Sequence, residues 1–308
     1  MIKLIVTDLD GTLLNHDRKV SKTNENTIRK LQDEGYLVCF ASGRPFQGMD
    51  CFAQQCDLAS HESYFITNTG SKVFDYKNSK LISSHTLDVQ DYKYICGFIK
   101  DLNVQIAGYT EDTLYSFSKV LNPALIHDQK ILDMDLKYID PEQCDEKFGR
   151  FNIMGSKESV DEAVSRLPKE FFDSYYTVRN ETFSFEVLNK KSGKGNALET
   201  LTSYLNVDLD SEVLTIGDNF NDLEMLKITG NSVSMGQSCS EIQSQTKYVT
   251  SSNDDDGFSK IITKMLPISS PIAAPLCLWK NKYFIFRVNH TQFFTGKFPH
   301  FFIIRVLR

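Results

Sequence analysis

Apolar and polar positions set a repeating beat along the first fifty residues. Residues 3–7 (Lys-Leu-Ile-Val-Thr) read as a short buried strand, and 21–34 carries helical spacing, with Ile28 and Leu31 apolar, Ser21 or Thr23 as N-cap and Gly35 as C-cap. The stretch YLVCFASGRP at 36–45 repeats the cycle: an apolar strand ends at Ala41, a Ser-Gly loop follows, and Pro45 suits the first turn of another helix. Strands alternating with helices predict a doubly wound parallel sheet covered on both faces, with ligands at the carboxyl ends of the strands.

The beat then changes. YFITNTGSKVFD at 64–75 holds two strand-like pieces around a Gly-centred turn and predicts a hairpin. Between 83 and 188, a helix near 88–101, strands near 104–117, a strand at 149–155, a helix near 157–166 and strands near 174–187 form a self-contained mixed unit, read as an inserted second domain. The first domain resumes at 189 with a helix at 192–206, a strand (EVLTIGD) ending in Asp218, a further helix, and two short strands, SVSMG and KYVT. The expected organisation is therefore a discontinuous core, 1–82 and 189–266, around an insertion at 83–188. SNDDDG at 252–257 reads as the cap of the core's last helix.

Composition changes the picture at one end. The net charge of −6 hides +6 in residues 267–308, where six basic residues face no Asp or Glu, so the rest of the chain carries −12. An acidic body repels phosphate backbones, which argues against nucleic-acid binding. The tail also holds the only Trp and seven of the 22 Phe, without a sustained period. It is expected to be an appended segment outside the fold, poorly ordered or weakly packed, and a tail anchored to anionic membranes is the alternative. In the main body no apolar run approaches the ~18 residues of a membrane span. The start is not a signal peptide, so a cytoplasmic protein is expected. Seven cysteines without a Cys-x-x-Cys, and six scattered histidines, argue against a disulfide framework or a zinc site. Cys51 and Cys56 are expected to be packing thiols.

The candidate chemistry sits at strand ends: Asp8 and Asp10 after the first strand, Asp218 and Asp222 in IGDNFND. Four ionised carboxylates within ~5 to 6 Å would repel by about 3 kcal/mol per pair at an effective dielectric of 20. Something positive must sit among them, or some must be protonated. Hard oxygen donors without His or Cys suit Mg²⁺, which keeps waters and binds through carboxylates plus a substrate phosphate. Ser42 and Gly43 can offer a hydroxyl and backbone N–H groups to that phosphate, and Lys194 a point charge. Any one of these pieces alone is more often a turn or an N-cap; the ordered set is what points to a phosphate site.

With DLDGTLL (8–14), ASGRP (41–45), SGKGNAL (192–198) and IGDNFNDLEML (216–226) in that order, the chain resembles the haloacid dehalogenase (HAD) superfamily phosphatases, over residues 2–266. It is most similar to the Cof-type branch, which carries a large α/β cap between its second and third motifs. The resemblance implies a Rossmann-like core, residues 83–188 as the cap, and a Mg²⁺-dependent phosphatase of small phosphorylated metabolites, with sugar phosphates favoured. It implies Asp8 as the nucleophile that forms an aspartyl-phosphate, and Asp10 as the acid for the leaving group and the base for the attacking water. Asp8, Asp218 and the carbonyl of Asp10 would hold the metal. Leu9 (through its backbone), Ser42, Gly43, Lys194 and Asn221 would hold the phosphoryl group, Asp222 would orient its neighbours, and Thr12 would support the turn.

An acid at position 10 favours hydrolysis, yet a phosphomutase or phosphotransferase uses the same set, and a non-enzymatic sensor of a phosphometabolite is the reading from another class. Asn68-Thr69-Gly70 stands where the family shows Asn-Gly, which puts the side-chain contact expected at position 69 in doubt. Glu186 is expected to pair with a Lys and Arg44 to form a structural ion pair. The sequence names neither the substrate nor the oligomeric state.

Overall fold

The structure, a computed structural model, describes residues 1–268 throughout and, beyond them, the backbone of three short strands. The chain divides into two compact units, Met1–Leu266 and Pro267–Arg308. The first unit begins β1 (Leu4–Thr7), α1 (Lys22–Asp33), β2 (Leu37–Ala41), α2 (Gln47–Gln55), β3 (Ser63–Thr67), β4 (Lys72–Asp75) and β5 (Lys80–Ser84). There follow α3 (Val89–Ile99), β6 (Val104–Tyr109), β7 (Thr113–Ser116), α4 (Pro123–Leu132), β8 (Asp135–Tyr138), β9 (Arg150–Gly155), α5 (Lys157–Arg166), α6 (Lys169–Ser174), β10 (Tyr175–Glu181) and β11 (Ser184–Asn189). The last part holds α7 (Lys194–Leu205), β12 (Val213–Gly217), α8 (Leu223–Ile228), β13 (Asn231–Ser234), α9 (Ser240–Gln243), β14 (Tyr248–Val249) and α10 (Gly257–Met265).

The core sheet runs β14-β13-β12-β1-β2-β3-β4-β5, parallel from β14 to β3 and antiparallel at β4 and β5. β1 pairs with β2 on one side and with β12 on the other, so the winding reverses between β1 and β12. In a doubly wound sheet that reversal opens a crevice beyond the strand ends. Leu4, Val6, Cys39, Ala41 and Val213 face Ala197, Leu198 and Leu201 of α7 and Met225 and Leu226 of α8. Helix α1 starts where the serine's oxygen can take an orphan N–H: Ser21 accepts from the Asn24 amide. It ends against Gly35 at φ +85°, and it buries Ile28 and Leu31, each contributing ~1.5 to 3 kcal/mol.

The second sheet, β10-β11-β9-β6-β7-β8, is antiparallel except for β7 and β8. One face packs Phe151, Ile153 and Val187 against Ile95 and Ile99 of α3 and Val160 and Ala163 of α5. The other is partly covered by Leu125 and Leu132 of α4. This is the inserted mixed α/β cap. Sequence reading assigned nothing to α4 and β8, although Asn122 caps α4 and Pro123 occupies its first turn. The apolar residues of α4 wrap round it, with Leu125 buried and Ile126 38% exposed, so no clear stripe marks the helix.

SNDDDG caps α10 as expected, with Asp256 at the N-cap and its carbonyl accepting from the Lys260 amide, although no side chain of the run does the capping: Asp254 bonds the backbone and ring of His16, and the Asp256 carboxylate accepts from the Ser21 hydroxyl. Cys56 is buried as expected, whereas Cys51 is exposed. In the second unit, β15 (Leu278–Lys280), β16 (Tyr283–Arg287) and β17 (Phe293–Lys297) pair antiparallel in that order, elements that the sequence pattern did not signal. The expectation of weak packing for 267–308 falls on side chains outside the described residues.

Candidate active site

Two strands end at the crevice with a carboxylate each. Asp8 follows β1 and its amide donates to the Ile216 carbonyl of β12; Asp218 follows β12. After Asp8 the chain must double back, and the amides of Thr12 and Leu14 both return to the Leu9 carbonyl. Gly11 makes the turn at φ +83°, where a Cβ would lie 2.4 Å from Asp218 Oδ2. The turn thereby brings the Thr12 hydroxyl to Asp218 Oδ1, to which it donates at 2.7 Å.

Asn219 opens a one-turn 3-10 helix, Phe220–Asp222, closed by a capping box. Asp222 Oδ2 accepts from the amides of Asp218 (3.0 Å) and Asn219 (3.1 Å), which fixes the carboxylate and turns its other oxygen inward. There Lys194, the first residue of α7 and wholly buried, reaches across. Its ammonium donates to Asp222 Oδ1 at 2.7 Å and to Asp8 Oδ1 at 2.6 Å.

Asp8, Asp218 and Asp222 each present an oxygen within 4.8 Å of the others. Burial, and then Asp222, push the Asp8 carboxyl well above the usual range despite Lys194. Burial and Asp222 likewise raise Asp218 to about 7 against the Thr12 hydrogen bond. Burial opposes the charge on Lys194, but Asp222 and Asp8 outweigh it and hold the ammonium. The site thus gathers more negative charge than one Lys balances. Among the described residues these three carboxylates form an acidic cluster that could hold a metal ion.

Of the four carboxylates expected to converge, Asp10 stands apart. Its two oxygens accept from Arg44 Nε (2.6 Å) and Nη2 (2.7 Å), and its side chain is 45% exposed. The structural ion pair expected of Arg44 thus has the expected acid/base residue as its partner. Asp10 stays close enough to add to the raised Asp218 pKa.

The loop after β2 is tied to the turn after β3. The Ser42 amide is spent on the Ile66 carbonyl, so of the groups expected of it the hydroxyl remains, accepting from the Arg44 amide at 3.1 Å. The Ser42 carbonyl accepts from the Thr69 amide, and the Thr69 carbonyl accepts from Gly193 beside Lys194. Gly70 permits that last approach, since a Cβ there would lie 2.2 Å from the Gly193 carbonyl oxygen. Thr69 sits at φ 53°, a costly region for a β-branched residue, and its hydroxyl donates to Glu186 Oε2 at 2.7 Å. Glu186 therefore pairs with Thr69 and with Arg150 (3.4 Å) rather than with a Lys, because the β9 partner of Glu186 is Asn152, two residues from Arg150. Leu9 is buried, and Asn221 is nearly so within the 3-10 turn.

Sequence reading missed two cap residues that reach this loop. Arg150 is buried, stacks over the Tyr109 ring with its guanidinium carbon 4.3 Å from the centroid, and donates to the Gly43 carbonyl. Glu111, from the β6–β7 hairpin, accepts from the Phe46 amide at 2.7 Å. Neither lies in a motif; only tertiary structure places them.

Comparison with known proteins gives this arrangement a family context. The sequence profile of the haloacid dehalogenase-like hydrolases matches residues 5–262. A Bacillus subtilis protein named 5-amino-6-(5-phospho-D-ribitylamino)uracil phosphatase YwtE is 29% identical over 293 residues, covering 86% of this chain and 98% of its own. Phosphatase YwpJ of the same organism is 27% identical, covering 86% and 100%. The crystal structure of a haloacid dehalogenase-like hydrolase from Bacteroides thetaiotaomicron shares the fold with a TM-score of 0.79 at 23% identity, covering 86% of this chain and all of that one.

Proposed function

Because the chain belongs to the haloacid dehalogenase-like hydrolases and is a phosphatase, we propose that it hydrolyses small phosphorylated metabolites in a Mg²⁺-dependent reaction through an aspartyl-phosphate on Asp8. The observation that carries this reading is the Asp8–Lys194–Asp222 chain beside Asp218 at the switch point of the sheet.

The donor set fits Mg²⁺. It is all hard oxygen, and two of its carboxyls, Asp8 and Asp218, are pushed toward protonation by burial and then by the charge of Asp222, both of which a bound cation would oppose. Asp8, Asp218 and the Asp10 carbonyl would hold the ion. Asp222, engaged by Lys194 and by two amides, orients its neighbours instead. Bound there, Mg²⁺ supplies neutralising charge for the carboxylates and the phosphoryl oxygens.

The chain's own groups do the rest. Leu9 and Gly43 offer backbone N–H groups, and Ser42, Lys194 and Asn221 offer side chains, to hold the phosphoryl group. An Asp8 carboxylate oxygen attacks phosphorus as the bond to the leaving oxygen breaks. Asp10 gives that oxygen a proton and later takes one from the water that attacks the aspartyl-phosphate. To do so it leaves the Arg44 pair in which the structure holds its carboxylate and takes up from solvent the proton that it donates. Thr12 keeps Asp218 in place.

Residues 83–188 act as the cap that selects the leaving group, and 267–308 lie outside the catalytic fold. Sugar phosphates are the favoured substrates, and the ribityl phosphate in the YwtE name supports a phosphorylated polyhydroxy chain. The six free cysteines of the described residues support a cytoplasmic location. A hydrolysis screen over phosphometabolites with Mg²⁺ tests the reading: release of phosphate from sugar or polyol monophosphates is expected, and no turnover of any member would overturn it.

A further inference from the structure

The cap touches the phosphate loop of the core at several positions, through backbone and side chain. Arg150 donates to the Gly43 carbonyl, and the Ile131 carbonyl at the end of α4 accepts from Arg44 Nη1 at 3.4 Å. The largest share falls to Glu111, at the tip of the β6–β7 hairpin. Its carboxylate accepts from the Phe46 amide (2.7 Å) and from Asn68 Nδ2 (2.8 Å), lies 3.3 Å from Lys72 Nζ, and its backbone carbonyl accepts from the Gln47 amide at 3.0 Å.

Those amides open α2, and Phe46 at its N-cap has no side chain able to satisfy them. The core sequence thus leaves the start of α2 uncapped, directly after Ser42-Gly43-Arg44, and a carboxylate from the cap fills the place at the positive end of the helix. Through Asn68 the same carboxylate holds one end of the turn whose next residue, Thr69, bonds Ser42. Asn68 and Thr69 both sit at positive φ, 46° and 53°, so the turn needs restraint from outside itself. One side chain of the cap therefore restrains both the end of the phosphate loop and the turn that braces it.

We propose that Glu111 is a positioning residue through which docking of the cap shapes the phosphate loop, so that cap docking and phosphate binding stabilise each other. The inference rests on the phosphate site proposed above. Coupling of this kind is reciprocal, so phosphate in the core must tighten a cap hairpin that it does not touch.

Two measurements test it, both with inorganic phosphate and Mg²⁺ on the full chain. In the wild type, phosphate is expected to slow amide exchange in residues 110–113 as well as at Phe46 and Gln47. In Glu111→Ala, phosphate affinity is expected to fall on the order of tenfold, and the phosphate-induced rise in Tm to shrink with it. Glu111→Gln, which keeps an acceptor but loses the charge, is expected to fall between the two. A merely structural role would lower Tm equally with and without phosphate and leave the affinity alone. If Glu111→Ala does not fold, the Gln variant and the wild-type exchange still decide. Variants that bind phosphate as tightly as the wild type, or a hairpin whose exchange ignores phosphate, would overturn the coupling while leaving the phosphatase reading intact. A wild type that binds no phosphate at all would overturn both.

Discussion

Replacing Lys194 with Met probes the electrostatic centre of the site. Among the described residues, its ammonium is the only group of opposite charge bonded to the buried carboxylates of Asp8 and Asp222, at 2.6 and 2.7 Å. Without it, three carboxylates remain within 4.8 Å of one another, each ionised pair repelling by roughly 3 kcal/mol at an effective dielectric of 20. Breaking a buried pair this way costs about 3 to 5 kcal/mol, against a typical domain stability of ~5 to 15. At ~2 to 4 °C per kcal/mol for a domain of this size, Tm should fall by roughly 6 to 20 °C at pH 8 without divalent ions. Protons can substitute for the lost cation. The folded carboxyls of the variant have raised pKa values, so the folded state binds more protons than the unfolded one, and stability is kept at low pH and lost as pH rises through the folded pKa values. The melting deficit should therefore shrink at pH 6, and added Mg²⁺ should restore part of it at pH 8. Thermal unfolding followed by circular dichroism at the two pH values, with and without Mg²⁺, reads all of this. A variant that melts within ~2 °C of the wild type at pH 8, or with the same deficit at both pH values, would refute the reasoning.

Two further predictions use the same structure. For the wild type, Asp218 titrates near 7 when folded against an ordinary 3.8, a raised carboxylate pKa, so metal-free stability should fall between about pH 4 and pH 7; because Mg²⁺ competes with those protons, its stabilisation should be larger at pH 8 than at pH 5.5, as Mg²⁺ titrations of Tm will show. Truncation after Leu266 should keep solubility and phosphatase activity, since every motif residue lies in the Met1–Leu266 unit; a shortened chain that aggregates or shows no native circular dichroism would contradict this.

The core was legible because its signals are local. The strand ends at Asp8 and Asp218 and the Ser42 loop each follow an apolar run, Lys194 opens a run of helical spacing through Ala197, Leu198 and Leu201, and a doubly wound sheet brings such ends together. Pairings across the fold were not legible. Lys194 meets Asp8 across 186 positions, Glu111 meets Phe46 across 65 and Arg150 meets Gly43 across 107, and no spacing rule encodes such contacts. Asp10 shows the limit most plainly: its motif position marked it for chemistry, while its pairing with Arg44 depends on how the two loops lie side by side. Thr69 departs from the family pattern, yet its hydroxyl finds Glu186, a contact fixed by the cap sheet rather than by the turn's own residues. Helix α4 was missed for a different reason, because its apolar residues are spread around its surface.

The central claim is that Asp8 attacks phosphorus, and Asp8→Asn tests it most directly, since the amide keeps the size of the side chain and removes the nucleophilic oxygen. Phosphate release from an aryl phosphate in Mg²⁺ should be abolished in the folded variant, with no phosphoryl group retained on the protein. Turnover equal to that of the wild type would contradict the account.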